Sequence, residues 1–600
     1  MLISEGFQQP PLQIPLAYST DPVFEALLER ILPTQTFRQV DEELKQFEVR
    51  LAGPIRRLAS TIDTLPHSVE STLTQYDQWG RRVDELKTSE GWRELKKIAV
   101  VEGLVAIAME RKEGEFSRIR SFAKGYLFAP DGLYVGCPIS MTDGAARVIE
   151  LAGTEAMKRD ILPRLISRNP ERAYIAGQWM TERTGGSDVS LTETVARPVD
   201  SKRVSPGDDF ILDGFKWFSS ATDGDCALAL ARTGGEGSGS KGLSLFFVKL
   251  RDEEGKTNGV FVHRLKKKFG TKALPTAELQ ISNCRAQLIG PPGSGVRTIS
   301  TVLNITRLHS AMSGVASLRR CLVLAKEYAQ TRHIAGNHNQ LLGDNAMHTN
   351  ALLKPELTHR ALLHLVFGSI HLLGRSEALG ANFDSKEQWR LRLLTPVVKS
   401  FCAELSTTEM PDLMASLGGQ GYMSENQFGR LIADANVERI WEGTTSVLSL
   451  DVVRVILQSK GEAIRSFVEW SRSILATTPR NIGFDSAIST TEDRLGLLEE
   501  VTKRYFAKQA DPRLSRPLLF LIGYIASTIY LFEQAIWSNQ QGRGEAELDK
   551  WVVSKWVESG GVKSNVAGLK GLMKASEGEV KEGMKMERAL MYGLERPSKL

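Results

Sequence analysis

A glutamate set between apolar bulk and pliant backbone marks the chain's most chemically suggestive stretch. In VERIWEGTTSVLSLDVVRV, Val437 to Val455, Glu442 follows Trp441 and precedes Gly443. Apolar bulk desolvates a carboxylate and raises its pKa toward working pH, as proton abstraction next to a carbonyl asks. Glu442 is therefore a candidate general base. The same residues also fit a helix start, with an acidic side chain at the positive end of the dipole and Thr444 or Thr445 as cap. A second stretch, GQWMTERTGGSDVS, holds Met180, Thr181, Gly186 and Ser187. Small, backbone-exposing residues beside hydroxyls suit close approach by a planar ring and a pyrophosphate, although Gly-Gly-Ser-Asp is also an ordinary turn.

Order and spacing carry more than any one motif. The run LGGQGYMSENQFGRLIADANVERIWEGT, Leu417 to Thr444, resembles the signature near the end of acyl-CoA dehydrogenases, a flavoenzyme family. The Trp-Glu-Gly followed by LSLDVVRV is similar to the family's AidB-like branch, in its fungal, peroxisomal type. The resemblance implies FAD as cofactor, an acyl-CoA as substrate, and Glu442 as the base that removes the substrate α-proton. It places Met180 and Thr181 against the isoalloxazine, and Gly186 and Ser187 by the flavin phosphate or the thioester tail. Gly418 and Gly419 correspond to a turn that approaches the flavin of a neighbouring subunit.

The segment DGFKWFSSATDGD is similar to the family strand that lies against the flavin. Aligned on Lys216, Phe218 stands where a Trp is usual, and Ser220 where a Thr bonds the hydride-accepting nitrogen. A core aromatic with a turn serine is the plainer reading. The resemblance adds Trp441, Thr444 and Ser446 to the cofactor set and Arg307, with Ser187, to the substrate set. One branch of the family carries its base just before that Arg, but here the position is Thr306, which cannot act as a base. Arg332 matches an Arg-x-x-Phe-Gly whose guanidinium meets the pyrophosphate of an adjacent subunit's flavin. The Phe is Ala335 here, and the following segment is longer, a departure that bears on cofactor retention.

These residues need a scaffold. At 600 residues the chain exceeds what one core supports. From Asp21 to about Arg172 the periodicity is helical, with Val23, Phe24, Leu27, Leu28 and Ile31 on one face, and Thr142 or Asp143 is expected to cap a helix. Between 173 and 290, short alternating runs such as CALALAR and GLSLFFVKL indicate a β domain, with GGEGSGSKG as a hairpin loop. Lys266, Lys267 and Lys268 read as a solvated edge. Long helices return from Gly295. The expected architecture is α+β and multidomain, of acyl-CoA dehydrogenase type. An arm and helix (1–48) precede an α-helical N-terminal domain (49–172) and a central β-barrel domain (173–290). A helix bundle carrying Glu442 (291–458) is followed by an additional helical domain (459–600).

Composition excludes several classes. Hydrophobic content of 42% and charged content of 24% are ordinary for a soluble globular chain. Five scattered cysteines form neither a disulfide framework nor a zinc spacing, and histidines 333 to 371 lack a metal-binding pattern, so no metal is expected. The most apolar run, Leu518 to Phe532, is too short to span a membrane and reads as a buried helix rather than a transmembrane segment. Residues 561–600 hold eight Lys/Arg against five Glu, interspersed, so nucleic acid is not expected as a partner. Ser598, Lys599 and Leu600 spell a peroxisomal address read by an import receptor.

The resemblance implies a homotetramer or homodimer and α,β-dehydrogenation of an acyl thioester, in fatty-acid or secondary metabolism. An oxygen-using oxidase, an AidB-like nucleic-acid-binding flavoprotein with little turnover, and a weakly active scaffold remain alternatives.

Overall fold

A computed structural model describes residues 12–64, 69–200, 204–235, 237–252, 254–334, 337–478 and 483–593. Ala335, Gly336 and the terminal Ser598, Lys599 and Leu600 lie outside the described residues. The chain forms two compact units, Met1–Asn382 with Cys402–Thr444, and Phe383–Phe401 with Thr445–Leu600.

The first unit begins with helices whose starts follow from local capping. Asp21 accepts the Phe24 N–H ahead of Pro22–Ile31, and Ser89 accepts the Trp92 N–H ahead of Glu90–Val101. Phe24, Leu27 and Leu28 are buried, as their spacing predicts. The expected cap at Thr142 or Asp143 is corrected: the helix runs Gly136–Ala152 and both residues are buried within it. Asp143 pairs there with Arg118 at 2.5 Å, because a buried carboxylate needs a countercharge. The helical reading of this region also misses a hairpin, β1 (Thr72–Tyr76) with β2 (Arg82–Lys87). Gln75 and Arg82 donate to the Val262 carbonyl and the Val262 N–H donates to Asp84, so the hairpin extends the following β domain.

That domain comprises β3 (Ala176–Trp179), β4 (Val195–Pro198), β5 (Asp209–Ser220), β6 (Cys226–Arg232), β7 (Leu243–Lys249), β8 (Val260–Leu265) and β9 (Thr276–Ile289). The order is β3-β6-β4-β5-β9-β7, with β8 on β9 and β6 pairing back to β7. That last pairing closes the sheet into a barrel around Trp179, Phe210, Leu212, Phe246 and Leu288. Strand β6 is buried along nearly its whole length, which is why CALALAR is apolar without alternation.

Helix Gly295–Thr331 leads out of the barrel, and β10 (His333–Ile334) with β11 (Asn337–Leu341) connects it to helix Ala346–Leu379. In the second unit, helix Ser515–Gln540 is the core: its window of mean hydropathy 1.5 is 89% buried, which fits the buried helix expected at Leu518 to Phe532. Among the described residues no group of three or more His, Cys, Asp or Glu is arranged to hold a metal ion.

Candidate functional site

Glu442 follows a 3-10 turn at Asn436–Arg439 and takes φ +58°, with Gly443 at +103°. A non-glycine residue in the left-handed region stores strain, and such strain clusters where a side chain must be aimed. The carboxylate is half-buried with Oε2 sheltered from solvent. Two contacts hold the turn. Trp441 Nε1 donates to Glu438 Oε2 at 2.5 Å, and Arg307 Nε donates to the Glu442 carbonyl at 3.3 Å. Thr306, buried beside Arg307, donates its hydroxyl to Val302 O one helical turn back at 3.1 Å.

The segment after β3 is anchored by a residue the motif reading passed over. Glu182 is buried and accepts from Lys216 Nζ at 2.5 Å, from the Thr194 hydroxyl at 2.5 Å and from the Glu193 N–H at 2.6 Å. Met180 and Thr181 are therefore fixed in position. The Thr181 carbonyl accepts the Trp217 N–H at 2.9 Å, which sets it beside the strand carrying Phe218 and Ser220. Gly186 lies against Thr181: a Cβ there would come within 2.9 Å of its Oγ1. Ser187 is exposed, and Phe218 is 50% exposed.

Ser220 Oγ lies 3.0 Å from Thr276 Oγ1, which accepts from Lys268 Nζ at 3.2 Å. Lys268 also donates to the carbonyls of Thr271 and Leu274. The solvated-edge expectation holds at the exposed Lys267 and is corrected at Lys266 and Lys268. Burial pulls the Lys268 ammonium down to about 8, and Lys266 stacks 3.3 Å from the Trp217 ring centroid while pairing with Glu278. Both lysines bury because carbonyls, a carboxylate and an indole face replace their water. Cys137 continues the group: its thiol is raised by burial and further by Glu438 and Glu442, and lowered by Lys268. Ser220, Thr276 and Lys268 thus form a hydrogen-bonded chain, and Cys137 lies within electrostatic reach of Lys268, Glu438 and Glu442.

Other expected site residues lie on other elements. Arg332, half-buried, ends helix Gly295–Thr331 with its N–H on Tyr328 O. Gly418 (φ +60°) and Gly419 open the turn Gly418–Tyr422, where an added Cβ at either would meet nothing within 4 Å. Thr444 is exposed. Ser446, also exposed, belongs to the second unit, in the first turn of helix Thr445–Gln458.

The family descriptions that match are the AidB N-terminal domain over residues 8–172, the acyl-CoA dehydrogenase middle domain over 177–284 and its C-terminal domain over 293–457. The chain belongs to the acyl-CoA dehydrogenase family. Acyl-CoA dehydrogenase family member 11 of Caenorhabditis elegans is 36% identical over 561 residues, covering 90% of this chain and 88% of its own length. AidB of Escherichia coli is 30% identical, covering 65% and 70%. The structure of Caenorhabditis elegans ACDH-11 in complex with C11-CoA aligns with a TM-score of 0.87 at 33% identity, over 99% of this chain and 98% of that one.

Acyl-CoA dehydrogenases are FAD-dependent oxidoreductases, and the residues present fit that cofactor. Gln178 Oε1, on the face of β3 shared with Met180, is buried without a hydrogen-bond partner, an atom that a polar ring edge would satisfy. The open backbone at Gly418 and Gly419 offers close approach to a second ligand surface. Sequence reasoning missed Glu182, Lys268, Thr276 and Glu438. Only the type of Glu438, an acid four residues before Glu442, carried any signal.

Proposed function

We propose that this acyl-CoA dehydrogenase removes the α-proton of an acyl-CoA with Glu442 in the oxidation to the α,β-unsaturated thioester. FAD, when bound, supplies the hydride acceptor. The observation that carries the reading is the strained, half-buried Glu442, held between Trp441 and the Arg307 contact at its own carbonyl. Desolvation favours the proton-accepting role, and the fixed turn aims the carboxylate. The hydroxyl of Ser220 and the segment Met180–Thr181 are assigned to the flavin, Arg332, Gly418, Gly419, Trp441, Thr444 and Ser446 to the remaining cofactor contacts, and Gly186, Ser187 and Arg307 to cofactor phosphate or substrate. The relative solved with C11-CoA supports an acyl chain of that order as the first substrate to try. A fatty or polyketide thioester of fungal metabolism belongs to the same proposal, as do a homo-oligomer and peroxisomal residence through Ser598, Lys599 and Leu600.

The test is the visible spectrum of the FAD-loaded protein under anaerobic addition of acyl-CoAs of graded length. Bleaching is expected for some member, with Glu442→Gln slowing it on the order of a thousandfold or more, the scale of a lost general base. A protein that takes up FAD and is bleached by none would refute the dehydrogenase reading. Hydrogen peroxide release on admitting air distinguishes an oxidase. Deleting residues 598–600 should move an amino-terminally tagged protein from peroxisomes to cytosol.

A further inference from the structure

Glu438 is fully buried, yet it is a carboxylate, and burying a charge is costly unless donors surround it. Three do. Oε2 accepts from Ser310 Oγ at 2.5 Å and from Trp441 Nε1 at 2.5 Å, and Oε1 accepts from Tyr134 OH at 3.0 Å. They come from helix Gly295–Thr331, from the base's own segment, and from the turn ahead of helix Gly136–Ala152. Strain gathers around this carboxylate: Leu133, Tyr134 and Glu442 all take positive φ, at 46°, 64° and 58°. The rings of Tyr134 and Trp441 lie 5.9 Å apart.

The geometry points to Glu438 as a positioning residue for the base: one buried carboxylate ties Trp441, Tyr134 and Ser310 together and thereby fixes the left-handed turn that presents Glu442. The inference rests on the reading of Glu442 as base. A neutral side chain of similar volume could hold the packing without the desolvation cost. What the carboxylate adds is two acceptor oxygens that hold donors from three segments at once.

The experiment compares Glu438→Gln, Tyr134→Phe and Ser310→Ala in the FAD-loaded full-length enzyme with an acyl-CoA that bleaches wild type. Glu438→Gln is expected to lower kcat about tenfold to a hundredfold, the scale of a misaimed group, with KM within about threefold. Tyr134→Phe and Ser310→Ala each remove one of the ties to Glu438, so each should also lower kcat. A readout apart from turnover is the flavin spectral change on binding a non-oxidisable thioether acyl-CoA, expected to keep its amplitude in all three. Wild-type kcat in Glu438→Gln overturns the proposal. Should that variant fail to fold, wild-type kcat in both other variants overturns it. Failure of the base reading shows separately, as activity retained in Glu442→Gln.

Discussion

Asp434 shows how far burial reshapes a single group near the site. It accepts the Thr271 N–H, faces Arg430 and Lys268, and is pushed up to about 6 by burial. A carboxyl whose folded-state pKa lies above its ordinary value of 3.8 favours the native state when protonated. Its contribution is full below about pH 4 and is lost as pH rises through 6, a change of about 3 kcal/mol. Asp434→Asn keeps an acceptor for Thr271 and cannot ionise. The wild-type minus variant difference in unfolding free energy should therefore fall by about that amount between pH 4 and 7, measured by urea unfolding. A constant difference would mean that Asp434 does not titrate in this window. At this scale a motif of fixed order singles out Met180, Thr181 and Glu442, and the roles proposed for them rest on that order. The sequence was illegible at Lys268 and Glu438, because a lysine run and an acidic residue each read as solvated until long-range partners appear.

The helices and strands were read well where one face alone is buried and less well where pairing decides. Residues 72–87 lack the apolar alternation of a core strand, since their burial is mostly exposed, and their strand character comes from docking on Val262. Helix Ser515–Gln540 was visible by composition, but its tight spot was not. A Cβ at Gly523 would lie 2.5 Å from Phe401 Cδ2 and 2.6 Å from Cγ. The Phe401 ring is itself boxed by Phe520 at 5.8 Å and Tyr524 at 4.8 Å between centroids. Gly→Ala normally gains up to about 1 kcal/mol in a helix, whereas overpacking a closed core costs about 1–3 kcal/mol. The clash wins, so Gly523→Ala is expected to lower the melting temperature, and a rise would show that the ring yields.

Two compact units, each assembled from separate stretches of chain, were not predictable from periodicity, because residues 383–401 join 445–600 through contacts such as Phe401 on Tyr524. Family order, by contrast, spans residues 8–457 and carries the cofactor with it. A ligand that binds only the folded chain stabilises it by mass action, about 2.7 kcal/mol at a hundredfold excess over its Kd. For a chain this long the unfolding entropy is large, so that energy raises the melting temperature by only a few degrees. FAD should produce this rise in wild type. Glu442→Gln should keep it, because Glu442 is assigned to the substrate. Gly186→Val should lose most of it, since its side chain would press on Thr181 Oγ1, 2.9 Å from the added Cβ. Equal FAD-dependent shifts in Gly186→Val and wild type would remove the Met180–Ser187 segment from the cofactor site while leaving Glu442 untouched.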